Sequence, residues 1–258
     1  MSSILYAIEF NNYLTGKEFD CVLIRGDRYE LLFLTAICAY KGIPIVHLEA
    51  GDVSGVIDNK VRNSISHLAD YHFATNNESL RRLINMGLPM DRVWNEGSLD
   101  VEFASKVKPC LIKNQPYIFV AYHGIQGEDE KELDKALENF KEYAIIRVKG
   151  NADYNKEYPA ETYSPEDYIN LMKYASVCVG NSSSLLKEAS VLGVGVALVG
   201  DRQYARLPPK NVVNVPCEAD NIIKGITFQI NTRYKKDLTY YQPQTSKRIC
   251  QTLRKVLK

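Results

Sequence analysis

Ile24-Arg25-Gly26-Asp27-Arg28, followed by Val46-His47-Leu48-Glu49-Ala50-Gly51-Asp52-Val53-Ser54-Gly55-Val56-Ile57-Asp58, decides how this chain folds. Two short apolar runs, 21–24 and 43–46, lead into these segments, and each is followed by a carboxylate beside glycine. Between them, residues 29–40 read as a helix. Strand, helix, strand is the βαβ unit, in which a crossover helix joins parallel strands and ligands sit beyond the strands' carboxyl ends. Asp27, Glu49 and Asp58 are therefore expected to converge on one crevice. Like charges held close are costly unless chemistry uses them, so three gathered acids point to acid–base work.

Working outward, the alternation continues. A helix is expected over 3–14 and strands over 20–25, 43–47, 70–75 and 92–95. Helices over 58–69, with Asp58 as N-cap, over 77–86 and near 98–107 complete a first half. Residues 107–116, with prolines near both ends, read as a linker. The second half restarts with a strand at 117–122, a helix at 128–141 and a strand at 143–148. Ser164-Pro165-Glu166-Asp167 is a helix start: a serine cap, proline at the first helical position and an acid following. A strand at 176–179 enters Gly180-Asn181-Ser182-Ser183-Ser184, then a helix at 184–192 and strands at 194–199 and 212–215. Helices at 218–229 and from 246 close the chain. The fold class is α/β, two Rossmann-like domains facing a cleft. The expected division is 1–107, 108–245 and a C-terminal helix, 246–258, packing back on the first domain.

Composition removes several function classes. A net charge of +1 over 258 residues lacks the basic face a nucleic-acid binder needs. No apolar run is long enough to span a bilayer, and the N-terminus carries no basic segment followed by an apolar one, which argues against a signal peptide. The six cysteines form no CxxC pair, and Cys21, Cys38 and Cys178 lie in apolar runs, a pattern that suits a reduced, cytoplasmic protein. Neither they nor the four histidines are spaced as a metal cage.

Gly180–Ser184 is the second chemical signal. A small-residue turn that leaves a strand and opens a helix aims backbone N–H groups outward, where they suit phosphate. Each such interaction at a helix end is worth only about 0.3–1 kcal/mol, so an anion needs several donors. The same residues also suit an ordinary serine cap; Gly200-Asp201-Arg202-Gln203, after the next strand, shifts the balance by offering a cation. Glu188 is placed to take ribose hydroxyls. His123 follows the strand at 117–122, and the acids proposed opposite favour an acid–base or orienting role over a loop histidine's. His47 could be core; His67 and His72 read as structural.

Taken together, Gly26-Asp27-Arg28, His47-Leu48-Glu49-Ala50-Gly51, Val53-Ser54-Gly55 with Ile57-Asp58, Arg62, and Leu68-Ala69-Asp70-Tyr71-His72-Phe73 resemble the UDP-N-acetylglucosamine 2-epimerases, particularly the hydrolysing branch of sialic-acid synthesis. Gly180–Ser184 with Glu188, Gly193, Gly200-Asp201-Arg202-Gln203, Arg206 and Asn211-Val212 resemble that family's nucleotide half. The resemblance implies a GT-B type fold and UDP-N-acetylglucosamine or UDP as ligand, with no cofactor, nucleic acid or membrane, and a homo-oligomer. It places Asp27, Glu49, Asp58 and His123 on catalytic positions. Arg28, Ser54, Arg62, Asn181, Ser182, Ser183, Glu188 and Arg202 fall on substrate-binding ones, with Ser182, Ser183 and Arg202 at the diphosphate. Three departures stand out. The family's opening strand and Gly-Thr-Arg loop have no counterpart, so the chain reads as N-terminally shortened. Asn59 stands where the hydrolysing branch tends to have an acid, and Gly124-Ile125-Gln126 follows His123 in place of Pro-Val-Thr. A non-hydrolysing epimerase, an impaired UDP-sugar-binding relative and, more remotely, a GT-B glycosyltransferase are the alternative readings.

Overall fold

A computed structural model describes residues 3–54, 57–124, 130–148 and 162–257. Expectations for the start of the helix at 128, for Gly124-Ile125-Gln126 beyond its first residue, and for most of the loop after 148 lie outside them. The chain divides into two compact units, Met1–Leu99 with Tyr241–Lys258, and Asp100–Tyr240. The sequence reading put these divisions after 107 and 245.

The first unit opens with α1 (Ser3–Leu14), β1 (Val22–Arg25), α2 (Tyr29–Tyr40) and β2 (Ile45–Leu48). It continues with α3 (Asp58–Leu68), β3 (Tyr71–Ala74), α4 (Asn77–Asn85) and β4 (Val93–Asn95). The strands form one parallel sheet in the order β1-β2-β3-β4. β2 is buried at all four positions, as befits an inner parallel strand covered on both faces, whereas edge strand β1 leaves Leu23 and Arg25 exposed. Ile24, Cys38, Ile45 and Ile65 pack with Leu14 on one side of the sheet. α4 starts where Asn76 Oδ1 accepts the Ser79 amide at 3.0 Å, and its chain turns away at Gly87 with φ 87°.

The second unit comprises α5 (Leu99–Lys106), β5 (Tyr117–Ala121), α6 (Glu130–Leu137), β6 (Ala144–Arg147) and α7 (Pro165–Tyr174). Then come β7 (Val177–Gly180), α8 (Ser183–Leu186), α9 (Glu188–Leu192), β8 (Val196–Val199), β9 (Val212–Val215) and α10 (Ala219–Gln229). Its parallel sheet runs β6-β5-β7-β8-β9, so the strand order reverses between β5 and β7. In open α/β sheets that reversal is where ligands bind, outside the carboxyl ends of the two strands. β5, β7 and β8 are buried at every position, and their near-continuous apolar composition is what both-face burial demands. α7 begins as its sequence predicts, with Ser164 Oγ accepting the Asp167 amide at 3.1 Å and Pro165 in the first turn.

Three expectations change. The helix expected over 184–192 is two short helices, because Lys187 at φ −85°, ψ −67° interrupts it. The helix expected to reach 141 ends at Leu137, where tight turns through Asn139, Phe140 and Tyr143 carry the chain down so that Phe140 is buried. Asp58 is not the cap of α3: Ile57 holds that position with helical angles (φ −52°, ψ −27°) and no side-chain bond, which puts Asp58 inside the first turn. After Tyr240 the chain rejoins the first unit as α11 (Thr245–Val256). Ile249 packs with Val46, Leu48 and Phe73, Arg248 Nε meets Glu96 Oε2 at 2.5 Å, and Tyr71 donates to the Val256 carbonyl at 3.0 Å. Among the described residues no helix is long and apolar enough to cross a membrane.

Candidate functional site

In the first unit, Arg25 is in register with Leu48, so Asp27 and Glu49 lie just beyond the carboxyl ends of adjacent parallel strands. Arg62, projecting from α3 and almost wholly buried, ties Asp27 to the loop between β2 and α3. Its guanidinium pairs with Asp27, donates to the Asp52 carbonyl at 2.7 Å and donates to Asn59 Oδ1 at 3.1 Å. Asn59 Oδ1 also accepts the Ser54 amide at 2.7 Å, while its Nδ2 donates to the Ser54 carbonyl. A carboxylate could not make that last bond, which gives the asparagine at this position a local reason. The Asp52 carboxylate, itself buried, accepts from Thr75 Oγ1 at 2.6 Å and Ser79 Oγ at 2.8 Å.

Glu49 sits at φ 60°, a left-handed conformation that costs a non-glycine residue about 1–2 kcal/mol. Such strain clusters at functional sites, where surrounding structure holds it. Here Arg25 Nη2 reaches Glu49 Oε1 at 3.0 Å, and the next amide, Ala50, donates to Phe73 O at 3.2 Å. Asp58 lies half-buried in the first turn of α3, one turn before Arg62. Arg28, expected at the substrate, is exposed and pairs with Glu30 at 3.2 Å.

His47 braces the same turn from beneath. Nε2 faces only a carbonyl, that of Gly26 at 3.0 Å, so it carries the proton and Nδ1 accepts from Ser66 Oγ at 3.0 Å. Burial pushes the imidazole down from its ordinary 6.5 to about 4. The neighbouring His72 lowers it further, and Glu49 and Asp52 oppose the shift. The folded state therefore excludes a proton that the unfolded chain binds below about pH 6.5. Stability is whole above that pH and falls as pH drops towards 4, by up to about 3 kcal/mol. His72, shifted the same way by burial, adds to this. Urea midpoints are expected to fall between about pH 7 and pH 5, and His47→Gln to flatten that slope; an equal slope in the variant would assign the effect elsewhere.

In the second unit the polar residues gather where the strand order reverses. Asn181, fully buried after β7, accepts the His123 amide at 2.7 Å and donates to the His123 carbonyl at 2.8 Å, fixing the residue that follows β5. Its own carbonyl accepts from Arg202 Nη1 at 3.1 Å and Gln203 Nε2 at 3.0 Å. The turns after β5, β7 and β8 are thus one hydrogen-bonded unit, with Ser182 nearly buried and Ser183 half-buried. Glu188 opens α9 and is half-buried. α8 has only four residues, so the helix dipole expected behind this turn is a minor contribution, and side-chain hydroxyls and the arginine must carry most of any anion affinity. Among the described residues no group of three histidines, cysteines or acids could hold a metal ion.

The sequence reading quoted Asp52 and Asn59 but gave neither a role, and left His47 as a residue that could be core. The signal for Asp52 was an acid between glycine and valine in a loop otherwise committed to the site.

The family model described as UDP-N-acetylglucosamine 2-epimerase matches residues 2–254. The chain belongs to this family. A Campylobacter jejuni relative, GDP/UDP-N,N'-diacetylbacillosamine 2-epimerase (hydrolyzing), is 30% identical over 243 residues, which cover 80% of this chain and 62% of that protein. The Escherichia coli polysialic acid biosynthesis protein P7 is 28% identical over 259 residues, 87% of this chain and 66% of its own length. The chain thus spans roughly two thirds of these curated relatives. A crystal structure of UDP-GlcNAc 2-epimerase from Neisseria meningitidis, bound to UDP-GlcNAc, superposes with a TM-score of 0.76 at 18% identity, over 98% of this chain and 81% of that one. The fold is of the GT-B type, with two Rossmann-like units.

Proposed function

We propose that this epimerase-family chain acts on UDP-N-acetylglucosamine in the hydrolysing manner, releasing UDP and N-acetylmannosamine. The observation that carries this reading is the pair of fixed carboxylates at neighbouring strand ends, Asp27 on Arg62 and Glu49 on Arg25. A hydrogen on C2 of the sugar is scarcely acidic, so its removal must accompany departure of UDP from C1. A carboxylate takes that proton, the C–H electrons form a C1–C2 double bond, and the C1–O bond breaks to the leaving diphosphate. Water then adds its oxygen at C1 while C2 is reprotonated from the opposite face.

Asp27, Glu49, Asp58 and His123 are the groups that move protons; a positioned acid or base contributes typically about 10²–10⁴-fold. Ser182, Ser183 and Arg202 hold the diphosphate, Glu188 the ribose, and Ser54 and Arg28 contact substrate. Arg62 and Asn181, both buried, act through Asp27 and His123.

The Campylobacter relative's name supports a second reading, a diacetylbacillosamine nucleotide as substrate. Incubation with UDP-N-acetylglucosamine and with UDP-N,N'-diacetylbacillosamine, followed by NMR, tests both. Free UDP with N-acetylmannosamine supports the first; product only from the second sugar moves the substrate. UDP-N-acetylmannosamine would make the chain non-hydrolysing, and UDP binding without product would make it a binding relative.

The same reading includes a homo-oligomer. On α1, Ile4, Leu5 and Ile8 are each at least half exposed, and β1 is an edge strand of its sheet, features of the kind that monomers rarely leave bare. Light scattering is expected to give at least a dimer mass, and Ile8→Glu a smaller one; a monomeric wild type at micromolar concentration removes the proposal.

A further inference from the structure

The interior of the second unit holds a chain of three hydroxyls, of which only Ser182 enters the reaction outlined above. Tyr168, on α7, places its hydroxyl 2.6 Å from Ser184 Oγ, and Ser184 Oγ lies 3.0 Å from Ser182 Oγ. The Tyr168 ring stacks edge-on against Phe119 of β5, with centroids 5.2 Å apart, so the phenol is held by packing as well as by hydrogen bonding. Ser182 and Ser184 are themselves largely buried. Three hydroxyls bring three protons, and the two bonds among them use two. The remaining proton sits on whichever hydroxyl donates to neither of the others.

The direction follows from the chemistry of the two kinds of hydroxyl. A phenol is a better donor and a poorer acceptor than an aliphatic alcohol. Burial also raises the Tyr168 pKa well above the usual tyrosine range, so its proton stays in place at any working pH. If Ser182 donated inward, the spare proton would sit on Tyr168, or on buried Ser184 accepting from both neighbours, and in either place an unmet donor is costly. With Tyr168 donating to Ser184 and Ser184 to Ser182, the spare proton sits on Ser182, in the turn beyond β7.

We propose that Tyr168 is a positioning residue which, through Ser184, turns the Ser182 hydroxyl outward as a dedicated donor to a phosphate oxygen. The inference rests on the nucleotide reading given above and adds to it a specificity element: the relay favours a ligand with an anionic oxygen over one without. It commits the Ser182 proton to the ligand, and an anionic oxygen accepts that proton more strongly than a neutral hydroxyl does.

Titrations of UDP and uridine, followed by ligand-observed NMR and calorimetry, test this. Tyr168→Phe keeps the ring and deletes the hydroxyl that orients Ser184. It is expected to weaken UDP about tenfold, the size of a lost hydrogen bond to a charged group, and to leave uridine unchanged. Ser184→Ala is expected to weaken UDP selectively too, and the double variant less than the two single effects combined, because the three hydroxyls are coupled. A merely structural role for Tyr168 would weaken both ligands alike, and that result, or undiminished UDP binding in both single variants, overturns the relay alone. A wild type that binds neither UDP nor uridine overturns the nucleotide reading and the relay with it. If Tyr168→Phe fails to fold, the Ser184→Ala comparison of UDP with uridine decides on the same terms.

Discussion

Gly180→Ala is expected to unfold the second unit or to cost it more than about 4 kcal/mol, a large share of the 5–15 kcal/mol that stabilises a typical domain. Gly180 ends β7 at φ 138°, a region only glycine enters readily. A Cβ there would lie 2.1 Å from the Ala121 carbonyl oxygen and 2.5 Å from its carbon. Both are backbone atoms of β5, the strand beside it, so no side-chain rotation relieves the clash. Backbone strain of about 1–3 kcal/mol and overpacking of similar size combine with loss of the pairing that seats Asn181 and Ser182 on the Ala121 carbonyl. Gly26→Ala is the control. Its φ is 79°, but a Cβ there meets nothing within 4 Å, so only the conformational cost of about 1–2 kcal/mol applies. Urea unfolding followed by circular dichroism separates the two, and a Gly180→Ala protein as stable as the Gly26→Ala one would sink the packing argument.

Arg62→Met should cost about 3–5 kcal/mol, because it strands the partners of a buried guanidinium. Asp27 loses its counter-charge, and the Asp52 carbonyl and Asn59 Oδ1 each lose a donor. Arg62→Lys is not expected to rescue, since a single ammonium cannot reach three acceptors set around a planar fork. Asp27→Asn separates stability from chemistry. The amide keeps the volume and can still accept one guanidinium hydrogen bond, so its denaturation midpoint should move far less than that of Arg62→Met. Turnover of the nucleotide sugar, in contrast, should fall by about 10²-fold or more if Asp27 exchanges protons with substrate. An Asp27→Asn protein retaining turnover within about twofold of wild type would leave Asp27 as a structural partner of Arg62 only.

Much of this architecture is legible in the sequence because the local cues agree with one another. Ser164-Pro165 marks a helix start that forms as expected, and the apolar runs before Gly26, Gly124 and Gly180 become inner or edge strands of parallel sheets. The constellation around Asp27 is legible only in part. Strand order places Asp27 beside Glu49, but nothing in the spacing reveals that each carboxylate is met by an arginine, one of which comes from α3. Residues 183–192 illustrate a different limit. Every residue from Ser184 to Leu192 tolerates a helix, so periodicity sees one segment, whereas tertiary packing buries both halves and breaks the run at Lys187. The Asp58 cap fails for a similar reason: an acid in the first turn suits either the cap or the position after it, and backbone angles at Ile57 decide.

The return of α11 to the first unit bears on how the polypeptide is made. Ile249 completes a cluster with Val46, Leu48 and Phe73, which leave the ribosome some two hundred residues earlier. The strands of the second unit, among the described residues, lie between Tyr117 and Val215, so its sheet can close while the earlier half still waits for α11. Until α11 has been made, the apolar face around Phe73 lacks the cover that Ile249 and Leu253 give it, and there the nascent chain stays open to chaperones and proteases.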